Sequence, residues 1–297
     1  MLIRRKSAFN TPLCWGCIGI LACLASGSVA QEKAQSAALP SEATVAISPL
    51  PASTLGPDLA SASSTDVVGR MLADLAIARS SAATLGSYTA TLEMQEEVGD
   101  TLRPLDRVQI KVRRQPFSVY MHWSDTGQEV LFADGSNDNR LLVKPTKGLA
   151  VFKRLWRLDP NCRMAKQNCR YPITDSGIEN LVARIQEFYA LRDDWSSVAE
   201  CTVADAMVAD SNVSAYEIRF RDRAISPTYF GSRFCFEKAT GLLIAVDNFG
   251  WSDAAEPRLL EHYLYHSIST AQALQDKDFD ETNPEYGFVV SENIHEN

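Results

Sequence analysis

Apolar and polar residues alternate along most of the chain between residues 66 and 286, a period typical of β-strands with one buried face. The first such run places Tyr88, Ala90, Leu92 and Met94 on one face and polar residues on the other. Further runs follow at Val108–Val112, Phe117–Trp123, Val130–Ala133, Leu141–Val143, Tyr216–Phe220, Phe234–Phe236, Leu242–Val246 and Leu259–Ile268. Short polar turns join several of these runs, which predicts an antiparallel meander.

Two segments have the period of an amphipathic helix instead. A short helix is predicted after Ser64-Thr65-Asp66, with an apolar stripe formed by Val68, Met71, Leu72 and Leu75. A longer helix is predicted over residues 175–191, where Thr174, Asp175 or Ser176 caps the start and Glu179 completes a capping box. Its predicted buried stripe consists of Ile178, Leu181, Val182, Ile185, Phe188 and Tyr189.

About ten strands cannot remain an open, flat sheet, and only two helices are available to cover the apolar face. We therefore predict a mainly β, α+β fold, in which a curved antiparallel meander forms a half-open barrel closed by one or two helices. Such a sheet can enclose a hydrophobic cavity, and six aromatic residues are predicted to line it: Trp123, Phe132, Phe220, Phe234, Phe236 and Trp251. Aromatic residues at such positions also fill packed cores, and that alternative stays open.

The first thirty residues have the pattern of a cleavable signal peptide. The basic residues Arg4–Lys6 precede an apolar run from Leu13 to Leu24, which is too short for a membrane-spanning helix. Small residues before Gln31 predict cleavage after Ala30. The general secretory route is favoured over a twin-arginine route, and lipidation of Cys23 is an alternative. We expect an exported protein of the periplasm or cell envelope, soluble or weakly tethered.

Composition divides the rest of the chain into three parts. Residues 31–65 are rich in Ala, Ser and Pro and are predicted to be a disordered spacer, residues 66–288 a single domain, and residues 289–297 a C-terminal tail. Loss of three positive charges with the signal takes the net charge from -8 to -11, which argues against a nucleic-acid partner. The basic residues between Arg103 and Arg114 are predicted to form a solvated strand face rather than a phosphate-binding patch.

Four cysteines remain after the predicted cleavage, and an even number in an exported chain indicates disulfides. Cys162 and Cys169 are the candidate pair, because they lie seven residues apart in one turn-rich loop. Cys201 and Cys235 would be left over, and strand alternation points Cys235 to the opposite face from Phe234, which argues against a second bond. Zinc is the less favoured alternative, since no two cysteines of the mature part lie two residues apart.

The mature sequence contains no Gly-x-Ser-x-Gly elbow, His-Glu-x-x-His helix, phosphate-binding glycine loop or dinucleotide fingerprint. His262 and His266 lie on a predicted strand about 13 Å apart, too far to share one metal ion. The segment Asp276–Asp280 resembles the start of a calcium loop, but Glu281 replaces the required glycine. We therefore predict no catalytic residues, no metal and no cofactor, and a protein that is not an enzyme.

Two motifs resemble signatures of the bacterial family called domain of unknown function 1571. The first is Tyr171–Ile178 followed by Leu181, and the second comprises Glu261, Tyr263 and Tyr265 with the segments Asp276–Asp280 and Asn283–Phe288. The resemblance spans residues 66–288 and implies the architecture of the LolA/LolB-like lipoprotein carriers and receptors, whose half-open barrel holds acyl chains. It also implies that Phe279, Tyr286 and Phe288 dock the C-terminal turn onto the barrel.

These observations predict an exported envelope protein that binds or carries a hydrophobic small molecule or lipid, such as an acyl chain, in the cavity of a curved sheet. The alternative is an envelope protein-protein interaction module without a small ligand, in which the spacer and the acidic surface contact a partner protein.

Overall fold

A computed structural model describes residues 64–144, 146, 155–253 and 256–288. Its helices are α1 (Ser64–Leu85), α2 (Ile178–Tyr189) and the single-turn α3 (Trp195–Val198). Its strands are β1 (Ser87–Val98), β2 (Thr101–Leu102), β3 (Asp106–Arg113), β4 (Ser118–Trp123), β5 (Gln128–Ala133), β6 (Leu141–Lys144), β7 (Trp156–Leu158), β8 (Ala199–Val208), β9 (Ser211–Phe220), β10 (Tyr229–Glu237), β11 (Leu243–Gly250) and β12 (Arg258–Ser269).

The strands form one antiparallel sheet in the order β7-β6-β5-β4-β3-β1-β12-β11-β10-β9-β8, with β2 paired to the end of β1. The chain therefore makes two meanders, β3 to β7 and β8 to β12, and β1 joins them by pairing with both β3 and β12. No ladder links β7 to β8 among the described residues, so the sheet is not closed. This confirms the predicted fold class, a curved and half-open antiparallel sheet with a few helices.

One face of the sheet, called here the inner face, is apolar and packs against α1 and α2. Its central residues include Leu92 on β1, Ile110 on β3 and Val246 on β11, all of which are buried in one core. Five of the six residues of the predicted α2 stripe are buried, and Phe188 is half-buried. The helix is shorter than predicted: it begins at Ile178, because Ile173–Asp175 form a separate 3-10 turn, and it ends at Tyr189. The predicted first helix proves longer than expected.

The segment from Leu274 to Phe288 packs against the opposite, outer face of the sheet. Phe279, Tyr286 and Phe288 are buried there, as the family resemblance implied. The ring of Tyr286 stacks on that of Tyr120, with centroids 3.9 Å apart. This segment thus covers the outer face of β4 to β6.

The basic residues of β3 are less solvated than predicted, because the same C-terminal segment supplies acidic partners. Lys111 lies 3.1 Å from Asp278, and Arg113 lies 2.6 Å from Asp276. Two of the three carboxylates that resembled a calcium loop are therefore held in ion pairs with β3, whereas Asp280 accepts hydrogen bonds from Thr282. Across the described residues, no group of three or more His, Cys, Asp or Glu side chains is arranged to hold a metal ion.

Cysteine placement is resolved for the four residues of the predicted mature chain. Cys201 is the strand neighbour of Ile218 on β9, and Ile218 is in turn the strand neighbour of Ser232 on β10, so these three residues share one face of the sheet. Cys235 lies three residues after Ser232 and therefore on the opposite face from Cys201. Cys162 and Cys169 are free thiols in this structure, and their pairing stays a prediction. The predicted signal peptide, the cleavage site after Ala30, almost all of the spacer and the tail lie outside the described residues. Within those described, no helix is both long and apolar enough to cross a bilayer.

Candidate functional site: the two ends of the inner sheet face

Two glutamates lie side by side at one end of the inner face, which we call the closed end. Strand alternation puts Glu96 on the same face of β1 as Leu92 and Met94, and its register partner on β12 is Glu261. Both side chains are buried, with exposed fractions of 4% for Glu96 and 1% for Glu261. Buried carboxylates are costly unless nearby donors compensate their lost hydration.

The loop before α2 supplies the main donors to these carboxylates. Arg170 places Nε 2.9 Å from Oε1 of Glu261, and its backbone N–H donates to Oε2 of Glu96 over 2.8 Å. Arg170 Nη1 also donates to the carbonyl of Glu97, and the hydroxyl of Tyr171 donates to Glu261 over 2.9 Å. The loop is therefore fastened to both β1 and β12.

Neighbouring strands complete the set of donors. Asn248 on β11 donates to Oε2 of Glu261 over 3.1 Å, the hydroxyl of Tyr229 on β10 donates to Oε1 over 3.3 Å, and the hydroxyl of Tyr263 donates to Glu96. We call the whole group the carboxylate cluster: Glu96, Arg170, Tyr171, Tyr229, Asn248, Glu261 and Tyr263. Since each of its four carboxylate oxygens accepts a hydrogen bond from the protein, the cluster acts as a fastening for the loop.

The carboxylate cluster holds two carboxylates but one guanidinium. Burial raises the pKa of Glu96 above its ordinary value. Hydrogen bonds from Tyr263 and from the Arg170 N–H act in the opposite direction, whereas the adjacent Glu261 adds to the increase. Protonation of Glu96 is thus easier here than in water.

The start of α2 lies against the same face, where it contacts the opposite end of β1. Gly177 is the N-cap with φ 98°, and the N–H of Ile178 donates to the hydroxyl of Tyr88 over 2.9 Å. The Gly177 N–H lies near the hydroxyl of Tyr265 and opposes the rise that burial causes in the pKa of this tyrosine. The predicted capping box beginning at Ser176 is therefore wrong, because tyrosine hydroxyls from β1 and β12 take the place of a side-chain cap. A Cβ at position 177 would also lie 3.2 Å from the Tyr88 hydroxyl.

Two clefts flank the C-terminal end of α1, which we call the open end, and Leu85 lines both. Cleft A has a volume of about 300 Å³ and lies between α1, the β3–β4 turn and the start of α2. Cleft B has a volume of about 370 Å³ and lies between α1 and the ends of β9 to β12. Apolar side chains form part of the wall of each, with Val112 and Phe117 in cleft A and Leu242 and Ile244 in cleft B.

The composition of α1 explains why space remains at the open end. Its N-terminal half buries the large side chains Met71 and Leu75, whereas its C-terminal half buries only Ala78 and Ala82. Alanine favours the helix but fills little volume. The helix therefore continues to Leu85 without filling the space beneath it.

The two clefts differ in charge. At cleft A, Arg114 Nε lies 3.0 Å from Glu179, whose other oxygen is 3.9 Å from Arg79. At cleft B, the carboxylate of Glu237 accepts hydrogen bonds from Ser211 and Thr240. Arg79, Arg114 and Glu179 thus give the surroundings of cleft A a net charge of one positive, whereas the Glu237 carboxylate makes cleft B negative.

A family model described as "Protein of unknown function (DUF1571)" matches residues 85–288. The chain belongs to this family. In this DUF1571 protein the two motifs that carried the resemblance contact each other, since the hydroxyl of Tyr171 donates to Glu261. No curated protein sequence matches the chain.

Several solved structures resemble this DUF1571 protein loosely. MucB shows 15% identity and a TM-score of 0.39 over 73% of this chain and 63% of its own, so this chain spans less than two thirds of MucB. The lipoprotein LppX of Mycobacterium tuberculosis shows 10% identity and a TM-score of 0.39 over 70% and 99%. A LolA superfamily protein from Nitrosomonas europaea shows 13% identity and a TM-score of 0.29 over 70% and 96%. All three TM-scores are below one half, so these likenesses carry no argument about function.

The six aromatic residues predicted to line a cavity belong to the packed interior of the DUF1571 protein or to its rim. Phe132, Phe220, Phe234 and Phe236 are buried, and Trp123 and Trp251 pack half-buried against the core. Neighbouring aromatic rings surround them: Phe220 lies 5.6 Å from Trp195, and Phe234 lies 6.1 Å from Tyr189. None of the six is among the described residues that line cleft A or cleft B, and a cavity lined by them stays a prediction.

Proposed function

We propose that this protein binds a hydrophobic ligand, a lipid or an acyl chain, at the open end of the half-barrel. The observation that carries the proposal is the pair of clefts on either side of Leu85, where the sheet offers an apolar wall and α1 contributes only small side chains. Small-molecule sites are concave, largely apolar and typically about 300–1,000 Å³ in volume. Each cleft is at the lower end of this volume range, and polar and apolar groups contribute about equally to its lining, which suits a narrow alkyl chain with a polar head group.

A longer ligand can be admitted if the C-terminal half of α1 moves away from the sheet. Lifting Ala78 and Ala82 exposes little apolar surface, whereas lifting Met71 and Leu75 exposes much more, at about 25 cal/mol per Å² of apolar surface. Asp74, which accepts a hydrogen bond from the Tyr216 hydroxyl over 2.6 Å, fastens the helix near its middle. The segment beyond Leu75 is thus the part of α1 whose lifting exposes the least apolar surface.

Export of the protein to the periplasm or cell envelope is part of the same proposal and rests on the N-terminal sequence. It requires removal of residues 1–30, and the mass of the protein recovered from the envelope fraction tests this. A mass that corresponds to a chain beginning at Gln31 supports cleavage after Ala30. A lipid-modified chain beginning at Cys23 would contradict it and support the lipoprotein alternative.

Native mass spectrometry of the protein purified gently from its host envelope, before and after organic extraction, tests ligand binding. The proposal expects a mass excess that extraction removes. The extracted protein is then titrated with a fluorescent fatty acid, and binding is expected to raise the fluorescence. An unmodified mass together with no response to the probe would contradict the proposal.

A second candidate function is binding of a partner protein, as the sequence also allowed. The observation that favours it is β8, a ten-residue strand at the edge of the sheet in which Met207 is 62% exposed. Sheet edges are templates for an added strand. Crosslinking in the host, with and without residues 31–65, tests this function, and a partner captured by both proteins would assign binding to the folded domain rather than to the spacer.

A further inference from the structure

We infer that cleft A binds the anionic head group and the first part of the alkyl chain of a single-chain amphiphile, whose head is a carboxylate or a phosphate. This inference rests on the proposed function and assigns the ligand class and the cleft. It follows from the combination, at one site, of an apolar wall and an oriented guanidinium, whereas the neighbouring cleft B carries a carboxylate.

The wall of cleft A supplies the contact for the chain. Ala82 and Leu85 of α1 face Val112 of β3 and Phe117 across the cleft, and the ring of Tyr88 lies beside Gly177. Burial of each methylene group of a ligand against such a wall contributes about 0.8 kcal/mol. The volume of about 300 Å³ suits one chain and not two chains side by side.

Arg114 supplies the contact for the head group. Its Nε is held by Glu179 at 3.0 Å, and its Nη1 donates to the carbonyl of Ala83 over 3.1 Å, so the guanidinium is oriented by two contacts while its side chain remains 45% exposed. The described contacts leave the Nη2 edge for a ligand. A guanidinium fixed in this way is suited to carboxylate and phosphate oxygens.

Charge selects cleft A over cleft B for an anion. Arg79 donates to the backbone carbonyl of Glu179 over 2.9 Å, so two guanidinium groups surround one carboxylate next to cleft A. Glu237 lines cleft B and would repel an anionic head group, and His266 beside it forms no ion pair with Glu237 among the contacts described. The ligand's charge therefore favours cleft A even though cleft B is larger.

Calorimetric titration of the extracted mature protein with dodecanoate, dodecyl phosphate and dodecanol tests the inference. Both anions are expected to bind about tenfold or more tightly than the alcohol, as one charge-assisted hydrogen bond allows. Arg114→Gln is expected to lower the affinity for the two anions about tenfold and to leave dodecanol binding unchanged. Arg221→Gln, which removes an exposed arginine on the other meander, is the matched control. Preference for one anion over the other identifies the head group and supports the inference.

Ala82→Leu tests the position of the chain, because the larger side chain narrows cleft A and should weaken all three ligands. Ala76→Leu, on the exposed side of α1, is its control, and thermal unfolding shows whether each variant folds.

Equal binding of acid and alcohol, unaffected by Arg114→Gln, would overturn the inference and leave the proposed function standing. A larger effect of Glu237→Gln than of Arg114→Gln on dodecanoate would place the head group in cleft B and also overturn it. Absence of binding by all three ligands would contradict the proposed function itself.

Discussion

Replacing Glu261 by glutamine removes the charge at the centre of the carboxylate cluster while keeping the size of the side chain. In the folded protein, Oε1 of Glu261 faces Arg170 and Tyr171, and Oε2 faces the amide nitrogen of Asn248. A glutamine has one acceptor oxygen and one donor NH₂ group, so one side of the amide must meet a donor. We expect Glu261→Gln to destabilise the domain.

The magnitude follows from the burial of the two charged partners. Removing one partner of a buried ion pair costs about 3–5 kcal/mol, because the other charge is left unpaired. Glu261 is almost fully buried, but the Arg170 side chain is 24% exposed, so water can recover part of the loss. We therefore expect a loss of about 3 kcal/mol in the free energy of unfolding, which lowers the melting temperature of a domain of this size by roughly 6–12 °C.

Thermal unfolding at neutral pH, followed by circular dichroism, measures this loss. The matched control is Glu200→Gln on β8, since Glu200 also faces an arginine, Arg221, but at 3.8 Å and with both side chains more than half exposed. An exposed ion pair contributes about 0–1 kcal/mol, so the control should unfold near the wild-type temperature.

Equal losses in the two variants would refute the reasoning, because burial would then add nothing to the ion pair. The double variant Arg170→Met with Glu261→Gln gives a second check. Its loss should be smaller than the sum of the two single losses, since the second substitution no longer leaves a charge unpaired. Additive losses would show that the two side chains do not interact.

The remaining predictions concern pH and two glycines. Because burial raises the pKa of Glu96, its contribution to stability is present below about pH 4.3 and is lost as pH rises through the raised pKa; the stability of Glu96→Gln relative to wild type should therefore increase as pH rises above about 4.3 in denaturant titrations. Burial alone would raise the pKa of Glu129, but hydrogen bonds from Lys144 and from the Gly287 N–H outweigh burial and lower this pKa. Glu129→Gln should therefore be less stable than wild type at neutral pH, and the difference in stability should shrink as pH falls below about 4. Gly287→Ala should speed hydrogen exchange in residues 274–288, because a Cβ there would clash with Lys144 Nζ and lie 2.7 Å from Glu129 Oε1; unchanged exchange would show that Lys144 moves aside freely. Gly69→Ala, in a position of α1 with open space around it, should instead stabilise the protein by about 0.5–1 kcal/mol.

The sequence indicated most of the sheet, because its strands bury one face and leave the other polar. The closing strand was predicted over Leu259–Ile268 and is observed as Arg258–Ser269. Strand β7 was not predicted, since three residues are too few to show a period. The first helix was predicted too short, because Ala and Ser carry little apolar signal even where Ala78 and Ala82 are buried.

The carboxylate cluster was only partly visible in the sequence. Glu96 follows Leu92 and Met94 on the apolar face of β1. Because buried charged groups are normally paired, a glutamate on that face indicates a buried partner. The identity of the partner could not be predicted. Arg170 comes from a loop, whose path follows no periodicity, and it reaches across to two strands that are distant in sequence.

The residues that identify the family are used mainly in the scaffold. Tyr171 and Glu261 fasten the closed end, whereas the groups that we assign to the ligand, Ala82 and Arg114, lie outside both motifs. The first motif also supplies Thr174, Ser176 and Gly177 to the lining of cleft A, so the family motifs contribute to both ends of the inner face. The loop that carries Arg170 and Tyr171 leads directly into Gly177 and Ile178, and the N–H of Ile178 donates to the hydroxyl of Tyr88, which lines cleft A. If loosening of the carboxylate cluster shifts the start of α2, closed-end variants will also change ligand affinity, and if α2 stays in place they will change stability alone.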